Sequence, residues 1–487
     1  MTPASPKILF ATSEAHPLIK TGGLADVSGA LPNALHALGV DIKILLPGYP
    51  AVLQQAKRTA LFAQLPHPFA PGEIDILETQ LPDTTVPVLI VSYDAFFNRK
   101  GGPYQQVGGE DWPDNAQRFG LLSYIAAWLA SSDNTTSWQP DLIHCNDWQT
   151  GLAPAYLRFW PGRKPPTIMT IHNLAYQGVF GPEMVETLAL PVASFQPQGL
   201  EYYGNLSFLK AGVFYADRIT TVSPTYADEI QQEALGFGMH GLLYERRSTL
   251  SGIINGIDTR EWDPQHDPLL PHQYSVARLQ NKLKNKAALQ KELGLAVEPT
   301  TPLVAIISRI TYQKGSDIAL SVMHELAREN VQFALLGAGD SVIEQAFTNL
   351  ALKHPGRIAV TIGYAEDLSH RIEAGADMFL MPSRYEPCGL NQMYSQRYGT
   401  PPIAHATGGL VDTIVNATPT HLASGDATGF LFHEMNLVAC TDALRRAITL
   451  YHDRKAWARL QRAGMQRDFS WQSSAAAYLT LYRSLIT

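Results

Sequence analysis

The sequence predicts an α/β protein built from two doubly wound domains, each a parallel sheet covered by helices on both faces. Three observations carry that expectation. Short β-branched runs alternate with longer helical patterns in a βαβα rhythm. The runs fall into two series, separated by a stretch rich in Gly, Pro and Asp. The chain has 487 residues, 45% of them hydrophobic, which is room for roughly three domains at about 150 residues each, a number that large α/β units commonly reduce to two.

The first series reads KILFATS, DIKILLP, VPVLIVS, DLIHCN, TIMTIHN and RITTVS; the second reads LVAIISR, VQFALLGAG, RIAVTIG, DMFLMPS, PPIAHA and GFLF. Most are apolar at nearly every position, as befits strands covered on both faces. Between them, SGIINGIDTREWDPQHDPLLPHQYS places a hinge near residues 252–265. The expected organisation is an N-terminal domain over 1–252, a C-terminal domain over 253–465 and a terminal segment over 466–487. No short-period repeat interrupts it, apart from one echo: KTGGLAD at Lys20–Asp26 and TGGLVD at Thr407–Asp412.

Composition narrows the function classes. Net charge is -7 with no block of like charges, so neither nucleic acid nor an anionic membrane surface is an expected partner. No apolar run reaches membrane-spanning length. MTPASPKILFATSE enters a strand without the apolar core of a signal peptide, and a cytoplasmic protein is expected. Cys145, Cys388 and Cys440 are too scattered for a disulfide framework or a cysteine-rich zinc site.

Ligands of open parallel sheets bind outside the carboxyl ends of the strands, and those ends are chemically loaded. Lys20, Thr21, Gly22 and Gly23 follow the first run; Asn146, Asp147 and Trp148 follow the fourth; His172 and Asn173 follow the fifth. In the second series Arg309 and Lys314 follow the first run, Tyr364 closes the third, and Arg384 through Leu390 follow the fourth. A polar cleft is expected. Without Cβ atoms, the pairs Gly22, Gly23 and Gly408, Gly409 let backbone N–H groups approach an anion at a helix N-terminus; a plain strand-to-helix turn is the alternative. Arg309 and Lys314 can neutralise a diphosphate, the arginine fork gripping oxygens and the lysine supplying a point charge.

KTGGLADV, TIHNLAYQG, INGID, SRITYQKG, IGYAEDLSHRIEAGAD, SRYEPCGLNQMYSQRYGTPP and TGGLVDT together resemble the bacterial glycogen synthases and plant starch synthases, in that family's order over residues 20–413. The resemblance implies a GT-B fold of two Rossmann-like domains facing a central cleft, with FSWQSSAAAYLTLYRSLIT folding back on the first domain. It implies retaining transfer of glucose from ADP-glucose to the non-reducing end of an α-1,4-glucan, glycogen or starch, with release of ADP. The cleft would open for the polymer end and close over the donor.

On this resemblance Glu386 holds glucose hydroxyls and supports positive charge at the ring, Arg309 and Lys314 stabilise the departing diphosphate, and His172 orients the anomeric centre. Donor contacts are carried over to Lys20, Gly22, Gly23, Asp147, Asn173, Asn255, Tyr364 (stacking on the adenine), Cys388, Gly389, Leu390, Thr407, Gly408 and Gly409. Cys388 is expected to be accessible, and no nucleophilic role is assigned to it. Related retaining transferases carry a second glutamate eight residues after the first; here that position is Tyr394, a departure that matches the starch and glycogen synthases. No carboxylate stands out as a nucleophile, so front-face transfer, with the leaving phosphate deprotonating the acceptor, is the expected route.

No metal and no other cofactor is expected, because two cations and two glycine loops already supply phosphate-binding charge. A related enzyme using UDP-glucose, or a glucan-binding protein without turnover, are the open alternatives, since stacking on Tyr364 tolerates either base. A nicotinamide dehydrogenase is disfavoured because GAGDSV lacks the third glycine of the dinucleotide fingerprint. A glucan phosphorylase would need a lysine-bound pyridoxal phosphate. The oligomeric state is not legible.

Overall fold

A strand whose side chains are apolar on both sides is stable only between two layers of helix. Leu142–Asn146, Thr167–Ile171 and Gln332–Gly337 are such strands, buried at every residue, and each lies inside a parallel sheet. In the computed structural model, which describes residues 5–486, the chain forms two units. The first runs to Gly256 and takes back the C-terminal helix Trp471–Ile486; the second spans Ile257–Ser470. The units part inside the Gly-, Pro- and Asp-rich stretch, and the terminal return starts at Trp471 rather than at residue 466.

The strands of the first unit run from edge to edge as Leu250–Gly252, Arg218–Thr221, Thr167–Ile171, Leu142–Asn146, Lys7–Ala11, Asp41–Pro47, Pro87–Ser92, Glu73–Gln80 and Ala60–Pro66. The last two pair antiparallel, so the expected parallel sheet carries an antiparallel edge. Their mixture of exposed and buried residues suits strands that leave one face to water. A small antiparallel sheet of Val179–Phe180, Asn205–Ser207 and Glu201–Tyr202 stands apart. In the second unit the order is Ile358–Ile362, Gln332–Gly337, Leu303–Ile307, Met378–Met381, Pro402–His405 and Phe430–Phe432, all parallel.

Register at the amino ends of these sheets is held by a repeated device. Asp141, Asp217 and Asp377 each stand one residue before a strand and accept the first N–H of the neighbouring strand: Lys7 at 2.9 Å, Thr167 at 2.7 Å and Leu303 at 2.9 Å. The N–H of each aspartate returns a bond to the carbonyl of the same neighbour. A one-residue slip would break both bonds at once.

The C-terminal helix is part of the first unit's core. Trp471, Ala475, Tyr478, Leu479 and Tyr482 are buried in it, and Ser474 donates to the Ile254 carbonyl (2.6 Å). Tyr482 meets Nδ1 of His144 at 2.7 Å, and Nε2 of His144 meets Thr170 Oγ1 at 2.6 Å. Burial holds His144 down to about 3, so the imidazole is neutral and satisfied. Tyr482→Ala should therefore cost about 3–5 kcal/mol, by emptying a ring-sized volume, whereas Tyr482→Phe should cost about 1 kcal/mol for the lost hydrogen bond. Urea unfolding of both variants checks this; an alanine variant with the wild-type midpoint would show that the returning helix is not part of the core.

Candidate functional site

In the second unit the reactive side chains come from the loops that leave two neighbouring strands, Leu303–Ile307 and Met378–Met381. Lys314 Nζ donates to Glu386 Oε2 at 2.5 Å, and Ser383 Oγ donates to the same oxygen at 3.0 Å. Glu386 is only 5% exposed, so its charge is held by these partners rather than by water. Arg309 is exposed and reaches Gln313 Oε1 at 3.3 Å. Lys314 therefore does not stand as a simple twin of Arg309, for it rests on the carboxylate.

Glycine makes this convergence possible. Gly315 has φ +66, and a Cβ there would come within 1.8 Å of the Pro382 carbonyl. Gly408 has φ +45 and would meet the Glu386 carbonyl at 2.0 Å. The N–H of Gly409 donates to the carbonyls of Glu386 (3.1 Å) and Pro387 (3.2 Å). The second glycine pair is thus required for loop-to-loop packing behind Glu386, and the expected presentation of the Gly409 N–H to an external anion is corrected.

The neighbours divide by exposure. Cys388 is 5% exposed, against the expected accessibility, because Gly409 lies directly over it. Gly389 turns the chain at φ +71, Leu390 is half-buried before the helix Asn391–Arg397, and Thr407 is buried ahead of Gly408–Thr413. Tyr364 is 78% exposed, so its ring is available for stacking and is not a core residue. Periodicity missed the Arg384–Asp317 ion pair (2.7 Å) that joins the Glu386 loop to the helix Ser316–Leu326 following the Lys314 loop; the arginine of SRYEPC was its one signal.

In the first unit a residue outside the expected set organises the KTGG loop. Glu14 is buried, and its Oε2 accepts the N–H groups of Thr21 and Gly22 (3.3 Å for Gly22) while Oε1 accepts from the Tyr104 hydroxyl. The carboxylate met by this loop is the protein's own, so of the expected Gly22 and Gly23 pair the Gly22 N–H is taken up by Glu14. Nothing would crowd a Cβ at Gly22 or Gly23. Burial raises the Glu14 carboxyl above its ordinary range, against the bonds that lower it. Lys20 is exposed and pairs with Asp26 at 2.8 Å.

Asp147 plays a similar part after the strand Leu142–Asn146. Its Oδ1 accepts the N–H of His172 (2.8 Å) and of Asn173 (3.4 Å), joining two expected site segments. The backbone is at φ 55, ψ -179, a region other residues seldom occupy and one that costs about 1–3 kcal/mol. His172 is held down to about 3 by burial, so its neutral ring donates from Nε2 to Asn146 Oδ1 (2.9 Å) and keeps Nδ1 as an acceptor. Asn255 is buried, and its Oδ1 has no partner among the described residues.

One grouping among the described residues could hold a metal: Glu261, Glu366 and His370 offer ligand atoms within 4.8 Å of one another. None belongs to the set assigned to the donor, and His370 is already bonded through Nδ1 to Asp267 (2.8 Å) and stacked on Trp262 (3.9 Å). Among the described residues no helix is long and apolar enough to cross a membrane.

Burial pushes the Asp147 carboxyl up to about 7 from 3.8, partly opposed by the two N–H bonds and reinforced by Glu14. A raised folded pKa means the native state holds its proton longer than the unfolded chain. The associated stability is complete below about pH 3.8 and is lost as pH rises to about 7. Asp147→Asn keeps the acceptor oxygen without the charge, so its stability relative to wild type should rise as pH goes from 3.8 to about 7 and level off above that. Melting curves across that range check the sign; a constant difference would show that Asp147 does not titrate there.

Comparisons with known proteins bear on the family and the fold. The model of the starch synthase catalytic domain matches residues 7–245, and that of glycosyl transferases group 1 matches residues 291–463. A glycogen synthase of Nitrosospira multiformis is 52% identical over 493 residues, spanning 100% of this chain and 99% of that one. One of Nitrosomonas europaea is 54% identical over 486 residues, spanning 99% and 98%. The solved catalytic domain of starch synthase IV from Arabidopsis thaliana, bound to ADP and acarbose, superposes with a TM-score of 0.87 at 32% identity over 99% of this chain and 100% of that one. The chain belongs to the glycogen synthase family of retaining glycosyltransferases and has their GT-B fold.

Proposed function

We propose that this protein transfers glucose from ADP-glucose to the non-reducing end of an α-1,4-glucan, with retention of configuration and release of ADP. The observation that carries the reading is the Lys314–Glu386 pair at 2.5 Å. As the bond to the leaving group breaks, negative charge grows on the diphosphate and positive charge on the anomeric carbon. Lys314 answers the first and Glu386 the second, and both are held in place before the reaction begins. Arg309, exposed on the same loop, adds its fork to the phosphates. The Tyr364 ring is assigned to the adenine. That the Arabidopsis relative holds ADP and acarbose supports this base and a glucan acceptor.

Lys20, Asp147, His172 and Asn173 are assigned to the sugars. The Nδ1 acceptor of His172 suits a hydroxyl donor, and Asp147 fixes the His172 and Asn173 backbone. Transfer needs no nucleophile on the far face of the glucose, because the departing phosphate takes the acceptor proton. No metal step is invoked, since Arg309 and Lys314 supply the positive field that other transferases draw from an ion. A cytoplasmic setting fits three buried cysteines, none of them in a disulfide among the described residues.

Incubation with radiolabelled ADP-glucose and a glucan primer should move label into polymer and release ADP, with UDP-glucose markedly slower. Lys314→Gln should lower kcat/KM by about 10² to 10³, and EDTA should leave turnover nearly intact. Faster transfer from UDP-glucose would reassign the donor. Loss of activity in EDTA, restored by magnesium, would contradict the metal-free route.

A further inference from the structure

We propose that Arg384 is a positioning residue for the transfer, fastening the loop that carries Lys314 to the loop that carries Glu386; the inference rests on the glucosyl-transfer reading above. One guanidinium nitrogen, Nη1, donates to the Tyr312 carbonyl at 2.7 Å and to Asp317 Oδ1 at 2.7 Å. The other, Nη2, donates to Asp317 Oδ2 at 2.7 Å. The guanidinium also lies over the Tyr312 ring, 3.4 Å from its centroid. A main-chain bond from the Arg384 N–H to the Gln313 carbonyl (2.8 Å) adds a further tie.

These contacts bracket Lys314. Tyr312 and Gln313 are anchored on one side and Asp317 on the other, while Gly315 between them lies against the Pro382 backbone. On the opposite loop Arg384 stands two residues before Glu386. The ammonium and the carboxylate are therefore brought to 2.5 Å by loops that Arg384 holds in common.

A half-exposed ion pair contributes little by itself when it is only a pair; the Asp317 side chain is 45% exposed. The geometry here is different in kind. A planar fork matched to both oxygens of one carboxylate, with its face on an aromatic ring and one N–H on a carbonyl, is an arrangement that lysine cannot reproduce. The bonds of Nη1 and Nη2 go to protein acceptors, so Arg384 acts on transfer through the Lys314–Glu386 pair, which Lys314→Gln removes.

The test is a double-mutant cycle of Arg384→Lys with Lys314→Gln, read by steady-state kinetics and by thermal midpoint. Arg384→Lys alone should lower kcat/KM about 10- to 100-fold, the scale on which small displacements of catalytic groups act, with the loss mainly in kcat and the midpoint within a few degrees of wild type. In the Lys314→Gln background the same change should cost less than about 2-fold, because its target is gone. Losses that multiply, or an Arg384→Lys enzyme within about 2-fold of wild type, would overturn the positioning role. If Arg384→Lys does not fold, Asp317→Asn breaks the same tie from the helix Ser316–Leu326 and should show the same non-additivity. A wild type that binds ADP but transfers no glucose sinks the function reading alone, and the cycle is then decided on ADP affinity. A wild type that does neither sinks both.

Discussion

The loops at the expected site of the second unit are built around one ion pair, Lys314 with Glu386. A carboxylate this far from water is costly unless a charged partner is held close to it. The surrounding backbone is shaped to meet that condition. Gly315 lets the lysine loop approach the Pro382 carbonyl, and Gly408 and Gly409 let the following helix close over the backbone of Glu386 through Cys388. Ser383 adds a hydroxyl to the same carboxylate oxygen. Small residues and one hydroxyl thus do for Glu386 what solvent would do on an open surface.

The two ends of each sheet have different tasks. At the amino ends Asp141, Asp217 and Asp377 lock neighbouring strands in register. At the carboxyl ends the loops are free to carry chemistry, and there carboxylates shape them. Asp147 gathers the backbone of His172 and Asn173, and Glu14 gathers that of Thr21 and Gly22. In the first unit buried carboxylates organise main chain; in the second a buried carboxylate holds a lysine.

Much of this was legible from residue order. Continuous apolar runs identify the buried parallel strands, and their ends name Lys314, Glu386, Asp147 and His172. The edge strands Ala60–Pro66 and Glu73–Gln80 were not legible, because half of each faces water and dilutes the apolar signal. The two TGGL loops read alike yet differ in cause. Gly408 is demanded by a backbone 2.0 Å away, while Gly22 and Gly23 face open space. Glu14 escaped notice, and Arg384 was read only as part of a strand-end loop, because their partners, Tyr104 and Asp317, are set by tertiary packing that no local spacing encodes.

The central claim is that Glu386 serves the sugar while its lysine partner serves the diphosphate, and calorimetry of ADP binding to Glu386→Gln tests it most directly. The substitution keeps shape but weakens support for a cationic ring, and ADP carries no glucose to sense the change. Glucose transfer should slow severely while ADP affinity stays within a few-fold of wild type. An ADP affinity that collapses together with turnover would contradict the account and make Glu386 part of the nucleotide pocket.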